Sequence, residues 1–313
     1  MELVGQSPLF LAATRSLVRM ARFDVPVLIE GETGTGKELA ARVVHYQGAN
    51  ANRPFIPVNC GALPETLVEN ELFGHERGAY TDARESRPGM VALAEGGTLF
   101  LDEIDALSAK AQVAMLRFLQ DQRYRPLGAA ADRRANVRVI AATNRDLEYL
   151  VDRGEFRSDL FFRIKILFVN LPPLRARAGD ATLLAEHFLN ECARRFHQPR
   201  KRLGTQTQLW LESYHWPGNV RELENLIVRE CLMTDSRELA CVSHSLPTLA
   251  RPITSYAAAK AAAVADFERR FLRELLTRAS GNVTRAAAEA GKDRRALGRL
   301  VKKHGLRSND FRL

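Results

Sequence analysis

Gly31-Glu32-Thr33-Gly34-Thr35-Gly36-Lys37-Glu38 follows an apolar run, Val25–Glu30 (VPVLIE), and precedes helical spacing over Lys37–Gln47. Phosphates carry dense negative charge, so a cradle for them needs backbone N–H groups at close approach. Glycines permit that path, and the N-terminal end of the following helix adds positive potential. Lys37 would set its ammonium against the outer phosphates. The stretch fits G-x-x-x-x-G-K-[ST] except at its last place, where Glu38 stands for the hydroxyl that commonly holds magnesium. Strand, loop, lysine and helix in this order argue for a nucleotide site over a chance glycine-rich turn.

A nucleotide site needs a second half, a buried strand ending in carboxylates, and Gly96-Gly97-Thr98-Leu99-Phe100-Leu101-Asp102-Glu103 supplies one. Asp102 can hold Mg²⁺, directly or through water, and Glu103 can polarise a water for attack on the γ-phosphate. An apolar run ending in Asp-Glu is commonplace by itself. Paired with the upstream loop, it favours an ATP hydrolase. Further apolar runs at Phe55–Val58, Val137–Ala141 and Ile166–Val169 alternate with helical segments at Ala109–Gln120 and Thr182–Arg195. That alternation predicts a parallel sheet covered on both faces. In the last helix Leu183, Leu184, His187, Phe188 and Cys192 are expected near one face. After Leu171-Pro172-Pro173-Leu174 no strand pattern returns, which predicts a helical subdomain.

Hydrophobic residues make up 46% and charged residues 27% of the 313, which excludes wholesale disorder or a fibrous repeat. No apolar run approaches the roughly 18 residues of a membrane helix. Residues 1–11 lack the basic-then-apolar order of a signal peptide. Cys60, Cys192, Cys231 and Cys241 show no metal-site spacing and read as small core residues of a cytoplasmic protein without membrane partners. The net charge of +9 is unevenly placed: residues 251–313 hold 15 Lys/Arg against 6 Asp/Glu, and the rest carries 31 of each sign. A basic C-terminal module beside a neutral body points to nucleic acid.

That module has a readable order. Phe267–Ala279 has helical spacing, with Phe267, Phe271, Leu272, Leu275 and Leu276 near one face. Asn282 can cap a helix over Val283–Ala290, Gly291 makes a turn, and Asp293 can cap a third helix. In that third helix Leu297, Leu300 and Val301 form an apolar stripe, while Arg294, Arg295, Arg299, Lys302 and Lys303 lie mainly off it. A basic second helix of a helix-turn-helix suits the major groove of DNA. A basic three-helix bundle that binds protein is the competing reading.

Read together, the motifs resemble the AAA+ module of bacterial sigma-54-dependent transcription activators (enhancer-binding proteins). The likeness covers about residues 3–234. It includes Val4-Gly5-Gln6-Ser7-Pro8, the phosphate loop with Glu38, and Val58-Asn59-Cys60. It continues through Glu71-Leu72-Phe73-Gly74-His75-Glu76, Ala141-Ala142-Thr143-Asn144 and Phe156-Arg157-Ser158-Asp159-Leu160-Phe161-Phe162-Arg163. Leu171-Pro172-Pro173-Leu174-Arg175 and Trp216-Pro217-Gly218-Asn219-Val220-Arg221-Glu222-Leu223 complete it. Gly281-Asn282-Val283-Thr284-Arg285-Ala286-Ala287 resembles the Fis-type DNA-binding domain that such activators carry.

The resemblance implies further roles. Asn59 corresponds to a switch residue that holds Glu103 off, and Asn144 to the sensor of the γ-phosphate. Arg157 and Arg163 correspond to the pair that reaches into a neighbouring subunit's site, with one or both as arginine finger. Arg221 corresponds to a second sensor. Gly78-Ala79-Tyr80-Thr81-Asp82-Ala83 occupies the place of the sigma-contacting loop, usually Gly-Ala-Phe-Thr-Gly-Ala; Asp82 replaces a glycine and adds a charge.

The expected architecture is a P-loop AAA+ ATPase over 1–234 (α/β part about 1–172, helical part about 173–234), a linker over 235–265, and a helix-turn-helix domain over 266–313. The expected function is ATP-dependent activation of transcription. Its partners would be upstream activator DNA, the sigma-54 RNA polymerase holoenzyme and further copies in a ring, with six the expected number. Because the ATPase module starts near residue 3, control by a regulatory protein in trans is also an expectation. Two rivals stand: a DNA-binding regulator that does not act through sigma-54, and an AAA+ remodeller of another client.

Overall fold

Short apolar runs too brief for helices pair side by side into a five-stranded parallel sheet. The computed structural model describes residues 3–62, 67–80, 83–239, 268, 271–272, 275–276, 279, 282–291 and 293–303. The chain divides into two units, Met1–Ser243 and His244–Leu313.

In the first unit α1 (Pro8–Met20) leads to β1 (Val27–Glu30), and α2 (Lys37–Tyr46) to β2 (Phe55–Asn59). Then α3 (Val68–Phe73), β3 (Gly74–His75), β4 (Arg87–Pro88) and α4 (Met90–Leu93) precede β5 (Thr98–Asp102). Next, α5 (Ala109–Asp121) and the hairpin of β6 (Arg123–Tyr124) with β7 (Arg133–Arg134) precede β8 (Arg138–Thr143). Finally α6 (Leu147–Asp152) and α7 (Ser158–Ile164) lead to β9 (Leu167–Asn170). Strand order is β2-β5-β8-β1-β9.

The central strand, β8, buries all six of its residues, as its position requires. Along β1, Val27 and Ile29 face a core shared with Leu17 of α1 and Val44 of α2. Leu28, one residue out of phase, faces the opposite core with Met115 and Phe118 of α5 and Leu160 of α7. This alternation covers both faces with helices and leaves the strands' C-terminal edge for a ligand. Within that edge the register sets Asn59 beside Asp102 and Glu30 beside Thr143.

Residues after β9 form a lid of α8 (Asp180–Arg195), β10 (Arg202–Leu203), α9 (Thr205–Ser213), α10 (Asn219–Met233) and β11 (Glu238–Leu239). Its core gathers Leu184, Phe188, Leu211, Trp216, Leu223 and Ile227. Two expectations need correction. A short parallel pair, β10 with β11, does return after residue 174; two residues a side are too few to leave an alternating pattern. In α8 the buried face is Ala181, Leu184, Ala185, Phe188, Leu189 and Cys192. Leu183 and His187 are half-exposed, and His187 turns instead toward the nucleotide cavity that it helps to line.

The lid is fastened to the chain's first residues. Asp180 accepts hydrogen bonds from the backbone N–H of Gln6 (2.7 Å) and Ser7 (3.0 Å) and from the Ser7 hydroxyl (3.1 Å). Arg177 pairs with Asp180 at 2.8 Å, donates to the Val4 carbonyl at 2.8 Å, and lies 3.8 Å over the Phe10 ring. Both charges are buried, and Asp180 accepts four hydrogen bonds while Arg177 donates two. Breaking such a pair costs far more than replacing it whole.

In the second unit, helices Val283–Glu289 and Arg294–Lys303 form a helix-turn-helix. Asn282 accepts from the N–H of Thr284 and Arg285, and Asp293 from that of Ala296. Its core holds Leu272, Leu275, Leu276, Ala286, Leu297 and Val301. Phe271 is on the exposed side, Leu300 packs at the core's edge, and Phe267 lies outside the described residues. Among the described residues no helix is long and apolar enough to cross a membrane.

Candidate nucleotide site

The glycines of the phosphate loop are used for their backbone. Gly34 (φ 79°) and Gly36 (φ 97°) take left-handed conformations that bring the loop into line with α2, whose N-terminus Gly36 caps. A Cβ on Gly34 would stand 2.3 Å from the Gly218 carbonyl, so the loop touches the start of α10 directly. Lys37 is 9% exposed, and its ammonium donates to the carbonyls of Gly31 (2.8 Å) and Glu32 (3.2 Å). Burial lowers its pKa, Asp102 and Glu103 pull it back up, and Arg221 pushes it down again. The Thr35 hydroxyl donates to the Glu32 carbonyl at 2.8 Å.

Lys37, Asp102, Glu103, Asn59, Asn144 and Arg221 line one cavity of about 440 Å³, bounded on the lid side by His187 and Phe188. Glu38 and the loop residues Thr33, Gly34 and Gly36 line it as well. Asp102 has its pKa raised by burial, against the lowering effect of Lys37 and of the Glu103 N–H bonded at 3.0 Å. Cys60, next to this edge, is pushed up to about 12 by burial and then by Asp102, Asp105 and Glu103. With Cys192 and Cys231 it is buried and unbridged; Cys241 lies outside the described residues.

Glu103 has left-handed φ 55° and ψ 49°, unusual for a residue with a side chain. Its carboxylate rests against Gly61, where an added Cβ would stand 2.2 Å from Oε2. The same point is 3.4 Å from Oδ1 of Asn59, so Asn59 and Glu103 flank Gly61. They do not hydrogen-bond to one another: Asn59 Oδ1 accepts from the Ala62 N–H at 3.0 Å. Asn144 Nδ2 donates to Thr33 Oγ1 at 2.9 Å, drawing the turn after β8 onto the phosphate loop.

Arg157, at the N-terminal cap of α7, and Arg163, within it, lie outside this cavity. Arg157 forms a two-point pair with Asp159 (3.0 and 2.7 Å), which raises its pKa, and Arg163 donates to the Leu119 carbonyl (3.3 and 3.2 Å). Between them Phe162 is 73% exposed, an apolar ring left in water.

Of the loop Gly78–Ala83, Thr81 and Asp82 lie outside the described residues. Its ends are closed by Gly78 N–H to the Ala83 carbonyl (2.8 Å) and Ala83 N–H to the Tyr80 carbonyl (2.9 Å). Ala79 packs on Gly128, and the Tyr80 ring lies 5.1 Å from that of His75. In the second unit Arg294 and Arg299 are exposed, whereas the side chains of Arg295, Lys302 and Lys303 lie outside the described ones.

Sequence reasoning missed the strap that joins loop to lid. Asn219 is fully buried with φ 51°. Its Nδ2 donates to Thr33 O (3.0 Å) and Glu32 Oε2 (3.1 Å), and its Oδ1 accepts from the Leu174 N–H (2.8 Å). Arg175 pairs with both oxygens of Glu32 and holds that carboxyl below its usual range, and the Val220 N–H donates to the Gly34 carbonyl at 3.0 Å. The available signal was Trp216-Pro217-Gly218-Asn219, a turn ending in a residue type that tolerates positive φ.

Comparison with known proteins places this geometry in context. Residues 3–170 match the model of the sigma-54 interaction domain, and residues 175–263 that of an AAA+ ATPase lid domain. The transcriptional regulatory protein GlrR of Escherichia coli is 43% identical over 313 residues, covering 99% of this chain and 69% of its own. Crystal structures of NtrX from Brucella abortus in complex with ADP and with ATP are each 32% identical to this chain. They superpose with TM-scores of 0.75 and 0.74, over 97% and 98% of this chain and 69% and 70% of theirs.

Proposed function

Because the chain belongs to the sigma-54 interaction family of AAA+ ATPases, we propose that it is a cytoplasmic transcription activator. In this reading it binds upstream activator DNA and remodels sigma-54 RNA polymerase holoenzyme at the expense of ATP. The observation that carries the reading is the convergence of phosphate loop, acidic strand end, Asn144 and Arg221 on one cavity in a chain of that family.

Gly31–Glu38 cradle the phosphates and Lys37 faces the outer ones. Glu103 takes the proton of the attacking water, restrained by Asn59 until Asn144 meets the γ-phosphate. Arg221 brings the lid to the same nucleotide. The donor set suits Mg²⁺, which is commonly held by one or two carboxylates plus substrate phosphates. Asp102 offers one oxygen beyond the one that takes the Glu103 N–H. When bound, the ion neutralises charge on the phosphate oxygens.

Arg157 and Arg163 act on the next subunit's nucleotide in a ring of six copies. Their place outside their own cavity and the exposed Phe162 beside them support that assignment. The Gly78–Ala83 loop contacts sigma-54, and the helix Arg294–Lys303 enters DNA through Arg294, Arg295, Arg299, Lys302 and Lys303.

In vitro transcription with sigma-54 holoenzyme on a promoter with its upstream site tests the reading. Activation should require ATP and vanish with Glu103→Gln, which still binds ATP, and with Lys37→Ala, which does not. Thr81→Ala should hydrolyse ATP without activating. Activation that persists undiminished in Thr81→Ala would favour a regulator acting other than through sigma-54.

A further inference from the structure

We infer that Asp105 is a positioning residue, tying the turn that carries Glu103 to the turn that carries Asn144 through the hydroxyl of Thr143. Glu103 begins a tight turn closed by the Ala106 N–H to the Glu103 carbonyl (2.9 Å) and the Leu107 N–H to the Ile104 carbonyl (3.2 Å). The left-handed backbone of Glu103 is one that L-residues avoid, so its surroundings must hold it. Asp105 sits in the middle of that turn, and its Oδ1 accepts a hydrogen bond of 2.6 Å from Thr143 Oγ1. Thr143 is the last residue of β8 and fully buried.

A threonine hydroxyl has one proton to give. Donating it to Asp105 leaves the oxygen's lone pairs for the Arg145 N–H, which donates to Thr143 Oγ1 at 3.0 Å. That bond closes a turn around Asn144, whose Nδ2 reaches Thr33 of the phosphate loop. The alternative acceptor for the hydroxyl is the Arg145 carbonyl at 3.3 Å, on the same turn. Without Asp105 the proton goes there, and the turn after β5 loses its side-chain tie to the end of β8. Asp105 is not among the cavity's lining residues, and its charge acts on Lys37 more weakly than those of Asp102 and Glu103 do. Its main effect is on how Glu103 and Asn144 are placed relative to each other, so it bears on turnover far more than on nucleotide affinity.

This inference rests on the ATPase reading above, and the test separates the two. Steady-state hydrolysis and binding of a fluorescent ATP analogue are measured on the full chain, with melting temperature as a check on folding. Asp105→Ala and Thr143→Val should each lower kcat about tenfold or more while KM and analogue affinity stay within about threefold. The double variant should be no worse than the poorer single one, since both remove the same bond. Thr143→Ser, which keeps the hydroxyl, should restore turnover. Should Asp105→Ala not fold, Thr143→Val against Thr143→Ser carries the same comparison. Wild-type turnover in Asp105→Ala, or losses that multiply in the double variant, would overturn the inference alone. A wild-type chain without ATPase activity would overturn both it and the reading beneath it.

Discussion

Asn219 holds a left-handed backbone because its amide is repaid on both sides, by the Leu174 N–H at one atom and by Glu32 and Thr33 at the other. Two substitutions separate the contributions. Asn219→Gly keeps the backbone at ease and loses the amide. Asn219→Ala loses the amide and adds the left-handed penalty of about 1 kcal/mol or more for a Cβ-bearing residue. Leaving the buried Leu174 N–H without an acceptor should cost about 1–3 kcal/mol in either variant. Both tryptophans, Trp210 and Trp216, lie in the lid, so fluorescence during urea unfolding reads the relevant segment. The expected order of stability is wild type, then glycine, then alanine. Glycine and alanine variants of equal stability would mean that the backbone conformation at residue 219 carries no strain. Gly61 shows the same economy: the Glu103 carboxylate occupies the space where any other residue would put its Cβ.

Among the elements, α7 is placed by its buried side and proposed to act by its exposed one. Leu160, Phe161 and Ile164 are buried, and the Arg157 N–H donates to the buried Gln112 side chain at 2.9 Å. Phe162 and Arg163 are left facing outward. If Arg163 serves a neighbour's nucleotide, subunits carrying Arg163→Ala and subunits carrying Lys37→Ala should each be inactive alone and regain hydrolysis when mixed. The regained rate should rise with total concentration, because every competent site then needs two chains. Mixtures that stay inactive, with both variants folded by their melting temperatures, would put the arginine's action within its own chain or nowhere. The strands show where sequence reading succeeds. Thr98–Leu101 and Val137–Ala141 are too short and too apolar to be anything but buried strands, and each observed strand begins or ends within two residues of its apolar run. Parallel pairing then collects the phosphate loop, Asp102 and Asn144 at one edge without further information. The strap is different in kind, since Asn219 and Glu32 are separated by 187 positions and no local periodicity encodes their meeting. Asp105 was hidden for another reason: as a residue type it is indistinguishable from Asp102, and its partner Thr143 reads as one more strand residue.

At the scale of the whole molecule, the charge is divided as the two units are. The first 250 residues balance, and the excess of +9 lies in the remainder, much of it around the helix Arg294–Lys303. The proposed DNA contact therefore has two separable components. A lost bidentate base contact at Arg294 or Arg299 should cost about 1–3 kcal/mol and relax specificity at one base position. A lost phosphate contact should weaken binding to all sequences and flatten the salt dependence, whose slope counts the counterions released. Fluorescence anisotropy of the full chain with upstream and scrambled duplexes, at two salt concentrations, distinguishes them. The phosphate cleft of the ATPase unit is a second anion site, so the comparison is made with saturating ATP and with the Lys37→Ala variant as controls. Several copies in one ring would tether several helix-turn-helix units, and each further contact then becomes intramolecular. Affinity for a duplex with two upstream sites should accordingly exceed that for one site by far more than twofold, and the gain should disappear under conditions that keep the chain monomeric. If removal of residues 266–313 leaves binding to the upstream duplex unchanged, the DNA contact lies in the ATPase unit and the basic C-terminal helix serves an acidic partner instead.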